Sequence, residues 1–121
     1  MDYEFSKLEK KEKLWIITLN RPERMNALHS PAHFELENIF NDFSNDENAW
    51  VAIITGEGER AFCAGNDLRY QAEGGKMERN DTGFAGLTSR FNLNKPLIAA
   101  VNGVAMGGGF EIALALSLIH I

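Results

Sequence analysis

The chain has 121 residues, 45% of them hydrophobic and 24% charged, a size and composition typical of one small globular domain. Its net charge of −5 argues against an extended nucleic-acid interface, because phosphate backbones bind to basic surfaces. The single cysteine, Cys63, excludes an internal disulfide framework and fits a reducing compartment, and we expect it to be a small core residue.

The chain carries no recognisable targeting or membrane segment. Its first residues, MDYEFSKLEKKEKLW, are too charged for the apolar region of a signal peptide. No apolar run approaches the roughly 20 residues of a membrane-spanning helix, since the candidate after Pro96 is interrupted by Asn102 and by glycines. We therefore expect a cytoplasmic protein with no membrane partner and no nucleic-acid partner.

The first third of the chain predicts a hairpin followed by a helix. Residues 3–8 and 14–19 are strand-like runs on either side of the charged segment EKKEK, which is typical of a turn. Ser30 followed by Pro31 indicates a helix N-cap and first turn. The apolar residues after it recur at near-helical spacing and predict an amphipathic helix over residues 31 to about 44. These residues are Phe34, Leu36, Ile39, Phe40 and Phe43.

Strands and helices continue to alternate in the rest of the chain. Residues 51–55 and 97–101 are short apolar runs that predict buried strands, and residues 61–68 (AFCAGNDL) predict a compact loop. Residues 69–83 are polar and contain glycines, so we expect the most mobile internal segment there. A short helix is predicted around residues 84–91. This alternation predicts an α/β fold with crossover connections.

Three consecutive glycines, residues 107–109, open the last predicted helix. The first backbone N–H groups of a helix have no partner within it, so they can bind an anion or a developing negative charge. Tight packing of strand against helix is the simpler explanation for any one glycine. A dinucleotide fingerprint is excluded because its third glycine position, counted from Gly107 and Gly109, is Ile112. A phosphate-binding P-loop is excluded because no G-K-[ST] follows.

Glu111 is a carboxylate two residues beyond these glycines, with Phe110 and Ile112 beside it. Such a residue lies either on the solvent-facing stripe of the helix or in a cleft that raises the pKa of its carboxyl group. Spacing alone leaves both interpretations open. The glycines favour the cleft, because a carboxylate beside backbone donors can act in acid–base catalysis.

Three motifs in this order resemble the crotonase, or enoyl-CoA hydratase/isomerase, superfamily. They are LNRPERMNAL at 19–28, FCAGNDL at 62–68 and KPLIAAVNGVAMGGGFEIALAL at 95–116, and the resemblance covers residues 3–115. Within the superfamily, two stretches are most similar to the branch that interconverts crotonobetainyl-CoA and carnitinyl-CoA. They are GFAGLTSRFNLNKPLIAAVNG and GGGFEIALA. General enoyl-CoA hydratases share much of this pattern. The resemblance implies that residues 1–115 form the N-terminal half of a crotonase-like ββα spiral fold.

The resemblance also implies a site. The backbone N–H groups of Ala64 and Gly108 would form an oxyanion hole for the thioester carbonyl of an acyl-CoA, and Glu111 would handle the water that adds to a 2-enoyl-CoA. The remaining implied substrate-binding residues are Gly65, Asn66, Asp67, Leu68 and Gly107. Asp67 is equally well explained as a turn former and helix cap. No metal and no cofactor are implied, apart from the coenzyme A of the substrate.

The implied activity is the reversible hydration of a 2-enoyl-CoA. The second glutamate of the hydratases would lie beyond Ile121, so a related isomerase or hydrolase and an inactive fragment that only binds CoA remain alternatives. Full-length relatives in this superfamily form homotrimers or dimers of trimers, which is the assembly that the resemblance implies.

The last six residues, LSLIHI at 116–121, depart from the family pattern, which would show a small residue, an aspartate and the next strand. A transposase-end adaptor encodes the same six residues. We therefore expect residues 116–121 to be a non-native tail that interrupts a buried helix, and we assign no role to His120.

Overall fold

The computed structural model describes residues 3–78, 80–91 and 93–120. In this part of the chain five strands form one sheet, and two short strands form a second sheet. The strands of the first sheet, in spatial order, are β1 (Ser6–Lys11), β2 (Leu14–Leu19), β3 (Val51–Gly56), β5 (Leu97–Ala100) and β7 (Leu118–His120). The second sheet pairs β4 (Ala61–Cys63) with β6 (Val104–Ala105). The helices are α1 (Ser30–Asn45), α2 (Leu68–Ala72) and α3 (Gly108–Leu114).

All strand pairs are parallel except β1 with β2. These parallel strands are joined by crossovers, so the predicted α/β fold is confirmed. In the described residues no helix has both the length and the apolar character that crossing a membrane requires.

The predicted hairpin is present, but β1 begins and ends three residues later than expected. Lys11 pairs with Leu14, so the turn consists of Glu12 and Lys13 alone, and Glu12 adopts a left-handed conformation with φ of 55°. The charged residues before the turn pair with β2 because alternate residues of β2 are buried on one face and define the register.

Helix α1 begins at Ser30, and its N-cap is His29 rather than the predicted Ser30. The Nδ1 atom of His29 accepts a hydrogen bond from Ala32 N–H (3.3 Å). The Ser30 hydroxyl accepts instead from Glu78 N–H (2.6 Å) and donates to the carbonyl of Lys76 (2.7 Å). The hydroxyl is therefore used to attach the segment at residues 76–78 to the start of the helix.

One apolar cluster joins the sheet to α1. The ring centroids of Trp15 and Phe43 are 5.4 Å apart in this cluster, which also contains Phe62 and Ile112 from the two motifs near the predicted site. The other large members from the sheet and α1 are Ile17, Leu19, Leu36, Ile39, Phe40, Ile54 and Leu97. The core thus extends without interruption to the segments that carry the site residues.

Two predictions for the middle of the chain need correction. The segment at residues 61–68 is not a loop throughout, since it begins with β4 and ends at the first residue of α2. The helix predicted at residues 84–91 is only a 3₁₀ turn at Phe84–Gly86, because Ala85 has φ of 58° and this conformation cannot continue a helix. Mobility of residues 69–83 stays a prediction, and Arg79 within them lies outside the described residues.

The last predicted helix is shorter than expected. Helix α3 ends at Leu114, and Ser117 then donates its N–H to the carbonyl of Leu97 (2.9 Å) and accepts Leu97 N–H on its hydroxyl (3.1 Å). These bonds turn the chain into β7, which pairs in parallel with β5. Residues 116–120 therefore do not continue the helix. The non-native origin of residues 116–121 stays a prediction, and Ile121 lies outside the described residues.

Candidate active site

The two glycine-containing motifs lie side by side although some 40 residues separate them. Cys63 of β4 pairs with Ala105 of β6, and Met106 N–H donates to the carbonyl of Cys63 (3.1 Å). A methyl group built on Gly65 would lie only 3.0 Å from the backbone nitrogen of Gly108. The backbones of the CAGND turn and the glycine triplet are therefore in direct contact.

The glycine triplet has a structural role, and its members range from the exposed Gly107 to the buried Gly109. Gly107 has φ of 52° and ψ of −120°, a combination that residues other than glycine rarely adopt. A Cβ atom on Gly109 would overlap the carbonyl group of Cys63. Gly107 is therefore explained by its backbone conformation and Gly109 by packing, and the middle glycine, Gly108, has an N–H group without an acceptor among the described residues.

The structure places the free backbone donors differently from the prediction. Ala64 N–H donates to the carbonyl of Met25 (3.0 Å), so the assignment of Ala64 as an oxyanion donor does not agree with the structure. Asn66 N–H and Gly108 N–H, in contrast, have no hydrogen-bond acceptor among the described residues. Asn66 was predicted as a substrate-binding residue, and it now replaces Ala64 as the candidate donor.

The orientation of Asn66 N–H follows from its neighbours. Leu28 N–H donates to the carbonyl of Gly65 (2.8 Å), and Asp67 N–H donates to the carbonyl of Leu28 (2.9 Å). In a parallel bridge of this kind the residue between the two bonded groups directs its own N–H to the other side. Leu28, from the motif LNRPERMNAL, thus turns the Asn66 donor away from the core.

Asn66, Gly108 and Glu111 line one cavity of about 640 Å³. The other lining residues are His33, Met77, Glu78, Asn80, Gly83, Phe84 and Ser89. Glu111 is exposed, and its carboxylate forms no hydrogen bond or ion pair with the described residues. Glu111 is therefore both solvent-exposed and a lining residue of the cavity, and its catalytic role stays a prediction.

Asp67 is a structural residue in this arrangement. It is 3% exposed, its Oδ1 atom accepts Tyr70 N–H at the start of α2 (2.9 Å), and its Oδ2 atom accepts from Arg21 (2.8 Å). Burial alone would raise the pKa of Asp67, but the hydrogen bond from Tyr70 and the Arg21 guanidinium lower it below its ordinary value. The helix-cap interpretation of Asp67 agrees with this geometry.

The other predicted binding residues differ in accessibility. Leu68 is 70% exposed and Gly107 is exposed, whereas Gly65 is buried. Gly65 therefore shapes the turn, and the side chain of Leu68 is available to a ligand. Cys63 is buried, and burial raises the pKa of its thiol to about 11, so it is not a nucleophile near neutral pH.

Sequence reasoning missed several residues that build the site. Asn26 is buried, accepts Arg21 N–H on Oδ1 (2.9 Å), and donates from Nδ2 to the carbonyls of Glu57 (3.0 Å) and Ala61 (2.9 Å). His33 and Phe84 were likewise not predicted to reach the cavity. Asn26 and Phe84 lie in stretches that resemble the family, but no sequence pattern marks His33.

Comparisons with known proteins agree with the fold and the motifs. The profile of the family described as enoyl-CoA hydratase/isomerase matches residues 9–120. The carnitinyl-CoA dehydratase of Escherichia coli K12 is 52% identical over 105 residues, which are 85% of this chain and 40% of that protein. The carnitinyl-CoA dehydratase of Proteus mirabilis HI4320 is 51% identical over the same shares. The chain thus spans 40% of the length of these curated relatives.

Solved structures show the same relationship. A carnitinyl-CoA hydratase from Mycobacterium avium has a TM-score of 0.89 and 35% identity, over 98% of this chain and 46% of that chain. An enoyl-CoA hydratase from Mycobacterium tuberculosis H37Rv has a TM-score of 0.85 and 40% identity, over 95% and 44%. The predicted resemblance to the crotonase superfamily and to its carnitinyl-CoA branch is confirmed. The chain belongs to the enoyl-CoA hydratase/isomerase family.

Proposed function

We propose that this chain supplies the oxyanion hole and one catalytic carboxylate of an enzyme that reversibly adds water to a 2-enoyl-CoA. The observation that carries the proposal is the cavity shared by Glu111 and the two unpaired N–H groups of Asn66 and Gly108. The experiments below use a protein of the relatives' full length that contains this chain, here called the full-length protein.

The two N–H groups would bind the oxygen of the substrate thioester carbonyl. When water adds to the double bond, negative charge develops on this oxygen as an enolate forms. Backbone donors held by β4, β6 and the Leu28 bridge need no reorganisation at that moment. Loss of one such donor typically costs about 3–4 kcal/mol of transition-state stabilisation.

Glu111 would act as the general base in the hydration direction. Its carboxylate takes a proton from water, the resulting hydroxide equivalent bonds to the β-carbon of the enoyl group, and the electron pair of the double bond moves into the thioester. The α-carbon then needs a proton. The family resemblance assigns this proton to a second glutamate, beyond the residues of this chain. A base of this kind contributes roughly 10²–10⁴-fold to the rate.

The cavity favours an acyl group that carries a positive charge. Its described lining includes two acidic residues, Glu78 and Glu111, whereas no lysine or arginine is among the described lining residues. The ring of Phe84 can also attract a quaternary ammonium group through its face. These features support crotonobetainyl-CoA and carnitinyl-CoA as the substrate pair. Carnitinyl-CoA also appears in the names of the relatives.

The test is the hydration of crotonobetainyl-CoA and crotonyl-CoA by the full-length protein, followed by the loss of enoyl-thioester absorbance. Glu111→Gln should lower turnover at least about 100-fold with little change in binding of the CoA thioester, because only the base is lost. Turnover at the parental rate would show that Glu111 is not the base. Release of free CoA thiol, or a shifted double bond without hydration, would instead indicate the related hydrolase or isomerase.

A homotrimer or a dimer of trimers is proposed for the full-length protein on the basis of the family resemblance. Light scattering coupled to size-exclusion chromatography would measure its mass directly. The same resemblance and the single buried cysteine support a cytoplasmic location.

A further inference from the structure

Part of the cavity wall is formed by a buried histidine that the hydration mechanism does not use. His33, on α1, is 4% exposed, and its Nδ1 atom accepts a hydrogen bond from Ala85 N–H (2.9 Å). A neutral imidazole that accepts at Nδ1 carries its proton on Nε2. Burial, and secondarily the neighbouring His29, lower the pKa of His33 to about 4, so the ring can accept this bond at neutral pH.

The turn that His33 holds has an unfavourable backbone conformation. Ala85 lies in the left-handed region at φ of 58° and ψ of 16°, and it is 1% exposed. Gly86 packs directly on α1, where a Cβ atom would lie 2.8 Å from the Cα atom of Glu37. A residue with a side chain keeps such a conformation only where surrounding contacts hold it. The bond to His33 is one of these contacts, and it comes from a residue 52 positions away.

Phe84 connects this turn to the candidate oxyanion hole. Its ring meets the His33 ring edge to face, with centroids 4.4 Å apart and planes at 63°. Its other end lies against Gly108, where an added methyl group would come within 2.6 Å of the Cε1 atom of Phe84. The aromatic ring therefore touches both His33 and Gly108, a candidate oxyanion donor.

We propose that His33 is a positioning residue for the acyl-CoA reaction. By accepting Ala85 N–H it keeps the ring of Phe84 against Gly108, next to the bound thioester carbonyl. This inference rests on the proposed function. An apolar ring at that place excludes water from the donor and strengthens its hydrogen bond to the enolate oxygen. It also restricts the position of the carbonyl, to which the rate is sensitive. His33 acts through Phe84 and touches no reacting atom.

The test compares substitutions at two histidines in the full-length protein, His33 within α1 and His29 at its N-cap. His33→Leu keeps the bulk but removes the acceptor, and we expect kcat for hydration to fall by about tenfold or more while the Kd for a CoA thioester changes by less than about threefold. His33→Asn should recover most of kcat, because its Oδ1 atom can occupy the place of Nδ1.

His29→Leu is the matched control. His29 is 5% exposed and caps α1, but it is not among the lining residues of the cavity. Its loss should lower stability and leave kcat per folded molecule unchanged. Equal losses of kcat in His29→Leu and His33→Leu would overturn the proposal, as would parental kcat in His33→Leu.

A double substitution tests whether His33 acts through Phe84. If it does, His33→Leu should have little further effect on kcat in a Phe84→Ala background, so that the two losses are strongly non-additive. Additive losses would overturn this route. Amide exchange at Ala85 gives a readout independent of activity: it should be faster in His33→Leu than in the parent and slow again in His33→Asn.

Failure of the proposed function and failure of the positioning role of His33 give different results. A full-length parent that does not hydrate enoyl-CoA contradicts the proposed function and the positioning role together. An active parent whose kcat is insensitive to His33→Leu contradicts the positioning role alone.

Discussion

Two parts of the cavity wall are held in place by different means. The backbone wall, which we define as residues 63–67 and 107–109, is fixed by main-chain hydrogen bonds and by contacts too close for side chains. The side-chain wall, which we define as His33 and the turn at residues 83–87, has backbone hydrogen bonds that stay within its own segment, and it is joined to the rest of the cavity by the His33 acceptor, an aromatic contact and the packing of Gly86. Oxyanion donors must be placed accurately, and the backbone wall provides this through its main chain, whereas the position of the Phe84 ring depends on side chains that a single substitution can remove. The contrast indicates which wall a single substitution disturbs more easily.

The largest effect should follow from breaking the buried ion pair that supports the backbone wall. Asp67→Ala removes the partner of Arg21, which is 6% exposed, and leaves a buried charge uncompensated. We expect a loss of about 3–5 kcal/mol in the free energy of unfolding of the full-length protein, measured by urea titration. Glu73→Ala, which removes an exposed partner of Arg69, should cost no more than about 0.5 kcal/mol. Similar losses in both variants would contradict the structural role of Asp67.

A somewhat smaller loss should follow from adding a methyl group within the backbone wall. Gly109→Ala places a Cβ atom on the carbonyl of Cys63, and we expect it to cost about 3 kcal/mol because neither backbone can move aside easily. Gly58→Ala is the comparison: φ is 88° but no atom lies within 4 Å, so only backbone strain of about 1 kcal/mol applies. Urea unfolding of both variants measures the difference, and equal costs would show that the contact is not tight.

The side-chain wall should weaken in mild acid. The pKa of His33 is about 4 in the folded protein and about 6.5 when unfolded, so the unfolded state binds the proton first as the pH falls. The contribution of neutral His33 to the free energy of unfolding is therefore complete above about pH 6.5 and is lost progressively towards pH 4. Between pH 6.5 and pH 5 we expect the free energy of unfolding to fall by about 2 kcal/mol.

The pH dependence is measured by urea titration at each pH, with His33→Leu as the control. His29 also has a lowered pKa, chiefly because of burial, and adds to the loss in the same direction. The pH dependence of the free energy of unfolding should therefore be reduced in His33→Leu but not abolished. An unchanged slope in that variant would show that His33 is not the titrating group.

The sequence was sufficient for β2 and α1 because their signals are local. The alternation of buried residues in β2 and the apolar spacing from Leu36 to Phe43 predict a strand and a helix without knowledge of any partner. For any single glycine of the triplet the simpler explanation from sequence is tight packing of strand against helix, and the close approach at Gly109 agrees with it.

The tertiary structure decided which groups are free to act. Ala64 and Asn66 lie two positions apart in one turn, and only the distant carbonyl of Met25 and the bridge to Leu28 determine that the first N–H is bonded and the second is open. The hydrogen bond from Ala85 to His33 spans 52 positions in the same way. Local sequence determines what a segment can form, whereas hydrogen-bond partners far along the chain determine which donors remain available for chemistry.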